Sequence, residues 1–342
     1  MPPTRCSPLL WLVNNGPCKT KALNTNPNSN RMNISHPISR RAFIKTTAVA
    51  AAAVGVHQTL LAEPVPAKRK VVVGAHPWIY AAKYPAPYDF TSDLPQVFAD
   101  FSYAGVDGVE LMSVVLKPDD AVARIGELSQ KHKLPVIGAS FSGAMWDKTQ
   151  QQAVLDNAEQ VVTRLAKLGG RTLGTSVGQL RGEAAKSPKT PEQLDTQADC
   201  LRKIIALCNQ HGVVLNLHNH TYEVENGLHD LKGTLARIPD VKLGPDLNWL
   251  IRGGVDPVDF IRTYGKQIVF MHLRDQKKDG RWVEAMGEGD TDFVAIAAAL
   301  REINFSGDAV IELAHEKDFK PTRPFRESEK MSREFVRVTF GY

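Results

Sequence analysis

From Lys70 onward, short apolar runs rich in β-branched residues alternate with longer stretches whose apolar positions recur at helical spacing. The short runs are 70–73, 106–111, 135–139, 172–175, 213–217, 242–245, 268–272 and 309–313, eight in all. Most are nearly continuous in apolar residues, as in strands buried on both faces of a parallel sheet, rather than alternating as a half-exposed strand would. Between them, 93–104 follows Thr91-Ser92, either of which can cap a helix N-terminus. Segment 118–131 is amphipathic, and 150–168 stops at Gly169-Gly170, a helix-ending signal. Thr190-Pro191-Glu192 opens another helix, with Thr at the cap and Pro in the first turn, and Asp256-Pro257 and Asp292-Phe293 begin the last two. Strand and helix alternating eight times predict an α/β fold, a single-domain (β/α)8 TIM barrel over 68–342. An open doubly wound sheet is the structural alternative, weakened by the absence of a Gly-x-Gly-x-x-Gly turn after the first run.

Residues 1–67 have a different character. Segment 38–67 reads ISRRAFIKTTAVAAAAVGVHQTLLAEPVPA, a basic start, an Ala-rich apolar stretch and then small residues, the layout of a secretory signal peptide. Arg40-Arg41, within Ser39-Arg-Arg-Ala-Phe-Ile-Lys45, resembles the twin-arginine consensus. The apolar run 48–56 is too short to span a bilayer, which takes about 20 residues. The leader therefore implies export by the twin-arginine (Tat) machinery to the periplasm or medium, without a stable membrane anchor. Met32 is a plausible true start, and cleavage after Ala62 or Ala67 fits equally well. Removing 67 of the 342 residues leaves 275, near the ~250 of a typical barrel.

Composition adds little to this. The chain is 43% hydrophobic and 23% charged, and its net charge of +5 is concentrated in the first 70 residues. The balanced remainder gives no argument for a nucleic-acid partner. Of four cysteines, Cys200 and Cys208 are eight residues apart on a predicted helix, ~12 Å at helical rise and too far for a disulfide.

Chemistry in a parallel barrel sits at the C-terminal strand ends. Run 1 leads to His76 and Trp78, run 2 contains Glu110, and run 3 leads to Ser140, Ser142 and Trp146. Run 5 leads into His218-Asn-His220-Thr-Tyr-Glu223, run 6 into Asp246-Leu-Asn-Trp249, run 7 into His272-Leu-Arg274-Asp275, and run 8 carries Glu312. Taken singly, each has a structural reading: His272 satisfied by backbone, Asp246 capping the next helix, Glu312 paired with Arg274. Four successive strand ends bearing acids and imidazoles point further, because burying such groups is costly unless they bind a metal or one another. Carboxylates with imidazoles and no thiolate suit Mn²⁺, Mg²⁺, Co²⁺ or Zn²⁺.

Across roughly 70–340 the chain resembles the xylose-isomerase-like superfamily of sugar phosphate isomerases/epimerases. The matching pieces are Leu-His-Asn-His-Thr-Tyr-Glu (217–223), Pro-Asp-Leu-Asn-Trp (245–249) with Gly-Gly-Val-Asp-Pro (253–257), His-Leu-Arg-Asp (272–275), Gly-Glu-Gly-Asp-Thr-Asp-Phe (287–293) and Val-Ile-Glu-Leu (310–313). The resemblance implies one divalent metal, Mn²⁺ foremost, held by Asp246, His272 and Glu312. The fourth ligand is Glu223 or His218, with Glu223 favoured because a third carboxylate suits the family better. It also implies proton abstraction next to the carbonyl of a keto-sugar, with Glu312 as one base and Glu223, His218 or His220 as the other. His76, Trp78, Glu110, Trp249 and Arg274 are expected substrate contacts. A dehydratase or glycoside-cleaving lyase acting on a keto-sugar or 3-keto-glycoside is the runner-up. A superfamily endonuclease would want three metals and a basic groove, and a non-catalytic sugar-binding barrel would have lost its acids, so these rank lower. No Gly-rich nest marks a phosphate site, which favours an unphosphorylated carbohydrate.

Overall fold

A computed structural model describes residues 70–316 and 318–342; the leader, and with it the 67/68 boundary, lies outside the described residues. In chain order the elements are β1 (Val72–Ala75), α1 (Trp78–Ala81), α2 (Leu94–Ala104), β2 (Gly108–Met112), α3 (Ala121–His132), β3 (Val136–Ser142), α4 (Gln151–Lys167), β4 (Thr172–Ser176) and α5 (Pro191–Gln210). They continue with β5 (Val214–Leu217), α6 (Thr221–Arg237), β6 (Lys242–Leu243), α7 (Leu247–Arg252), α8 (Pro257–Tyr264), β7 (Phe270–Leu273), α9 (Phe293–Glu302), β8 (Asp308–Ile311) and α10 (Phe325–Phe340). Every strand pair is parallel, in the order β6-β5-β4-β3-β2-β1-β8-β7. Single parallel bridges, Leu243↔Ile268 and Asp246↔His272, join β6 to β7 and close the barrel. The expected TIM barrel is present.

Inside, the barrel is filled in layers, because side chains two apart on a strand share a face. Ile137, Phe270 and Val310 form a small apolar cluster of their own. Gly74 and Gly108 make room for it, since a Cβ on either would lie 2.4 Å from an Ile137 side-chain carbon. One step further along β7 and β8, His272 and Glu312 follow Phe270 and Val310 on the same inward face. The floor of the site therefore rests on an apolar plug.

The differences from the expected elements have local causes. β1 lies two residues later than expected because Val72–Ala75 pairs residue for residue with Asp308–Ile311, leaving Lys70 exposed before the strand. β6 shrinks to Lys242–Leu243, where Pro245 has no N–H to donate to a ladder. α6 was not evident from periodicity: it is two helical stretches joined at 225–228, where Asn226, Gly227 and Leu228 all have positive φ. α10, the last helix, is strongly charged and packs mainly against α2. Cys200 and Cys208 are both free and buried, and burial pushes their thiols up to about 11 and about 12.

Candidate active site

At the C-terminal strand ends a cleft of about 860 Å³ opens, with His76, Trp78, His218, His220, His272 and Glu312 in its walls. Trp78 meets Tyr88 edge-on at 5.1 Å on one side, and Trp146 stands on the wall supplied by the β3 loop. On the floor, His218, Asp246 and His272 each offer one ligand atom within 4.8 Å of the others. Glu312 joins them, its Oε2 lying 2.8 Å from His272 Nδ1.

His272, Asp246 and Glu312 are each held by neighbouring groups. His272 Nε2 faces Glu110 Oε2 at 2.5 Å, which leaves Nδ1 for the cluster. Glu110 is fully buried in β2 and lies outside the cleft lining, so it orients His272 and is not the expected substrate contact. Asp246 spends Oδ1 on the backbone N–H groups of Asn248 and Trp249 as the N-cap of α7, leaving Oδ2 for the cluster. Its capping and cluster roles coexist on separate oxygens. Arg274 also departs from expectation: it is buried, with its guanidinium 2.7 Å from Asp246 Oδ2 and 2.5 Å from Glu312 Oε2. There it supplies countercharge to the two acids.

Glu223 stands apart from the cluster. It is the N3 residue of a capping box at the start of α6 and accepts hydrogen bonds from His220 N (2.6 Å), Val177 N (3.0 Å) and Ser176 Oγ (2.8 Å). With both oxygens so engaged, Glu223 ties α6 to the end of β4, and His218 takes the place beside Asp246 and His272. Trp249 is likewise outside the cleft lining: it meets Trp282 edge-on at 5.3 Å, and Arg252 lies over Trp282 at 3.5 Å. This stack fastens the 275–291 loop to α7. Asp275 anchors the same loop by accepting from the N–H groups of Gln276, Gly287 and Gly289. The Gly-Glu-Gly-Asp segment at 287–290 follows from that: a Cβ on Gly289 would lie 2.1 Å from Asp275 Oδ1.

The electrostatics separate the imidazoles. Burial, with the neighbouring His272 and His220, holds His218 well below the usual histidine value. Burial also lowers His76, against the pull of Glu312 and Glu110. Burial acts the same way on His272, but the Glu110 and Glu312 carboxylates outweigh it and raise it to about 10. Glu312 is drawn well below the carboxylate range: burial opposes ionisation, and Arg274, His76 and His272 overcome it. The site thus sets an ionised carboxylate, Glu312, and a protonated His272 beside two imidazoles, His76 and His218, whose burial disfavours the charged form.

Ser140, Ser176 and Tyr222 also face the cleft, Ser140 Oγ lying 3.0 Å from His76 Nε2. Ser176 and Tyr222 escape a search for acids and imidazoles at strand ends, because the exit of β4 carries neither. Their sequence signal is only a polar residue at the inward position of β4 and a Tyr two residues after His220.

Comparisons with known proteins agree with this fold. The profile of the xylose isomerase-like TIM barrel family matches residues 98–335. A D-allulose 3-epimerase from Methylomonas sp. superposes with a TM-score of 0.64 at 17% identity, covering 79% of this chain and 98% of that one. An L-ribulose 3-epimerase gives 0.64 at 20% identity, with 79% and 95% covered. A 3-keto-D-glucoside 4-epimerase from E. coli gives 0.60 at 18%, with 78% and 100% covered. Among curated sequences, an inosose dehydratase from Geobacillus kaustophilus (strain HTA426) is 26% identical over 168 residues, 43% of this chain and 53% of the relative. The chain thus spans about half the length of that relative. Barrel, inward layers and matched segment together establish that the chain belongs to the xylose isomerase-like TIM barrel family.

Proposed function

We propose that the protein is a divalent-metal-dependent isomerase or epimerase that removes and returns a proton next to the carbonyl of a keto-sugar. The observation that carries this is at the cleft floor. His218 Nδ1 is buried without a hydrogen bond among the described residues, and it converges from four successive strand ends with Asp246 Oδ2, His272 Nδ1 and Glu312 Oε2, whose partners are one another and Arg274. Burying so many ionisable groups together is costly unless they serve a ligand, and this donor set fits a divalent cation. Two carboxylates and two imidazoles suit Mn²⁺, Mg²⁺, Co²⁺ or Zn²⁺. Bound there, such an ion supplies Lewis-acid polarisation of a carbonyl oxygen and a fixed point of attachment for the sugar.

The chain's own residues supply the proton transfers. Glu312 lines the cleft beside His76 and His272 and is held ionised, so it has the free lone pairs to accept a proton, while Arg274 and the imidazoles lower its basicity. With His218 given to the cluster and Glu223 engaged in capping, His220 is left as the second acid/base; it lines the cleft three strands round the barrel from Glu312. His76 and Trp78 line the opposite approach and serve as sugar contacts. The epimerase identities of the structural relatives support this reading. The inosose dehydratase relative favours a second one, in which the same proton is removed and a β-hydroxyl then leaves. The Arg40-Arg41 leader supports maturation by twin-arginine export, so the working compartment is the periplasm or beyond.

The test is to load the protein with Mn²⁺, Mg²⁺, Co²⁺ or Zn²⁺ and assay keto-hexoses and 3-keto-glycosides by chromatography. Metal-dependent epimer formation supports the first reading, and a dehydrated product the second. Tight metal binding with neither product would refute both.

A further inference from the structure

The cleft is larger than the chemistry on its floor requires. The cluster of His218, Asp246, His272 and Glu312 stands over β5 to β8, yet the same cleft runs on over β2, β3 and β4, to about 860 Å³ in all. Ligand clefts of ~300–1,000 Å³ take drug-sized molecules, at least about twice the size of a keto-hexose. The wall over β2 to β4 carries groups that the proton transfer does not use. Trp146, from the loop after β3, is half-buried there, and its indole N–H has no acceptor among the described residues. Gln150 and Asn157, from α4 and its cap, and Gln179, after β4, also line the cleft, and their amides make no hydrogen bond among the described residues. This wall is firmly built: a Cβ on Gly178 would lie 2.5 Å from Gly143 O, so the loops after β3 and β4 touch backbone to backbone.

On the other side of β2, Tyr88 stands in the cleft 38% exposed, edge-on to Trp78 at 5.1 Å. Its φ is +65°, which a bulky L-residue rarely adopts. Such strain persists where the surroundings enforce it and gathers at ligand sites. Core burial does not account for it here, since the ring is open to the cleft. Aromatic faces and free amides together match a saccharide: the faces cover the C–H side of a sugar ring, and an amide both donates to hydroxyls and accepts from them.

We propose that this part of the cleft is an outer subsite for a second sugar ring, which makes the substrate a keto-glycoside rather than a free keto-hexose. The keto ring lies on the floor, the second ring lies between Trp146 and the Tyr88–Trp78 pair, and Gln150, Asn157 and Gln179 bond its hydroxyls. The proposal rests on the proton-transfer reading of the floor and adds what the substrate carries beyond the reacting ring.

Two measurements on the full chain separate the subsite from the reaction. Calorimetric titration compares gluco- and galacto-configured disaccharides with the matching methyl glycosides, which lack the second ring. Deuterium exchange in the metal-loaded protein compares the 3-keto forms of the same pairs with free keto-hexoses. At least one disaccharide should bind about 10-fold or more tightly than its methyl glycoside, the order of one aromatic contact, and its 3-keto form should show a like advantage in kcat/KM. Trp146→Ala and Asn157→Ala should reduce both ratios, with melting curves to confirm the fold. Gln150→Ala, at an exposed position, serves in place of Trp146→Ala if that variant unfolds. No disaccharide binding more tightly than its methyl glycoside, or ratios unaltered in folded variants, overturns the subsite. Exchange that is as fast on free keto-hexoses as on keto-disaccharides overturns the substrate class. No exchange on any compound overturns the reaction on the floor, and is recognised separately because the titration reads the subsite without turnover.

Discussion

Replacing Glu110 by Gln removes one negative charge from behind the His218, Asp246, His272 and Glu312 cluster while keeping its shape. Glu110 has no solvent exposure, and its Oε1 faces Gly174, where an added Cβ would come within 3.2 Å of it. Its Oε2 holds His272 Nε2 at 2.5 Å, presenting Nδ1 to the cluster, and its charge makes that nitrogen a better donor to a cation. Outer carboxylates of this kind are worth about 10- to 100-fold in metal affinity, or about 1.4 to 2.7 kcal/mol. Glu110→Gln should fall near the lower figure, because the amide oxygen still accepts from Nε2–H. Glu110→Ala should reach the upper one, since the ring then loses its anchor. Titration calorimetry with Mn²⁺ on the metal-free protein measures both, with circular dichroism and thermal melting to confirm the fold. Unchanged affinity in a folded Glu110→Ala variant would refute the reasoning, and with it the placement of the ion on His272 Nδ1.

Three further predictions follow from neighbouring contacts. His218→Ala should abolish tight Mn²⁺ binding, whereas Glu223→Gln should retain it but lower the melting temperature, because the cap joining α6 to β4 is weakened; calorimetry and melting curves separate the two. Arg274→Gln should destabilise the metal-free protein by about 3 kcal/mol or more, the usual cost of stripping the cation from buried acids. Added Mn²⁺ should raise its melting temperature more than it raises that of the wild type, since the ion restores the lost countercharge to Asp246 and Glu312. Glu329, on α10, is fully buried with neither carboxylate oxygen hydrogen-bonded among the described residues, and burial holds it well above the ordinary carboxylate value. The folded state thus keeps a proton that the unfolded chain gives up near pH 4.5, so stability declines as pH rises from there toward the folded value, by at most about 1.4 kcal/mol per pH unit. Glu329→Gln should flatten that decline in denaturant titrations at several pH values, and an unaltered pH profile would contradict it.

The strands were legible because burial on both faces writes itself as continuous apolar runs, and all eight runs overlap observed strands. Their edges were less legible: the register of β1 is set by Asp308–Ile311, more than 200 residues away, and no local pattern carries that. Among the candidate site residues, Asp246 and His272 could be picked out because one follows and the other ends an apolar run, and Glu312 because it is the acid within the last run. Glu223 misled because its residue type suits a metal equally well. The His220-x-x-Glu223 spacing is that of a capping box, but with a His in place of the usual Ser or Thr, so the pattern hides. Glu110 lies deeper than expected, within β2 and two residues short of its exit, so that its carboxylate meets the far side of the His272 ring. Arg274 is inward by strand alternation, yet only the closed barrel shows which two acids it neutralises.

The central claim is proton removal next to a carbonyl at the cleft floor, and NMR in D₂O tests it most directly. Mn²⁺ is exchanged for Mg²⁺ to limit line broadening, and keto-hexoses and 3-keto-glycosides are incubated with wild type, Asp246→Ala and Glu312→Gln. Deuterium should appear at the carbon beside the carbonyl with the wild type and be lost with both variants. Exchange that persists in Glu312→Gln, or a metal-loaded wild type that exchanges no proton of any keto-sugar, would contradict the account.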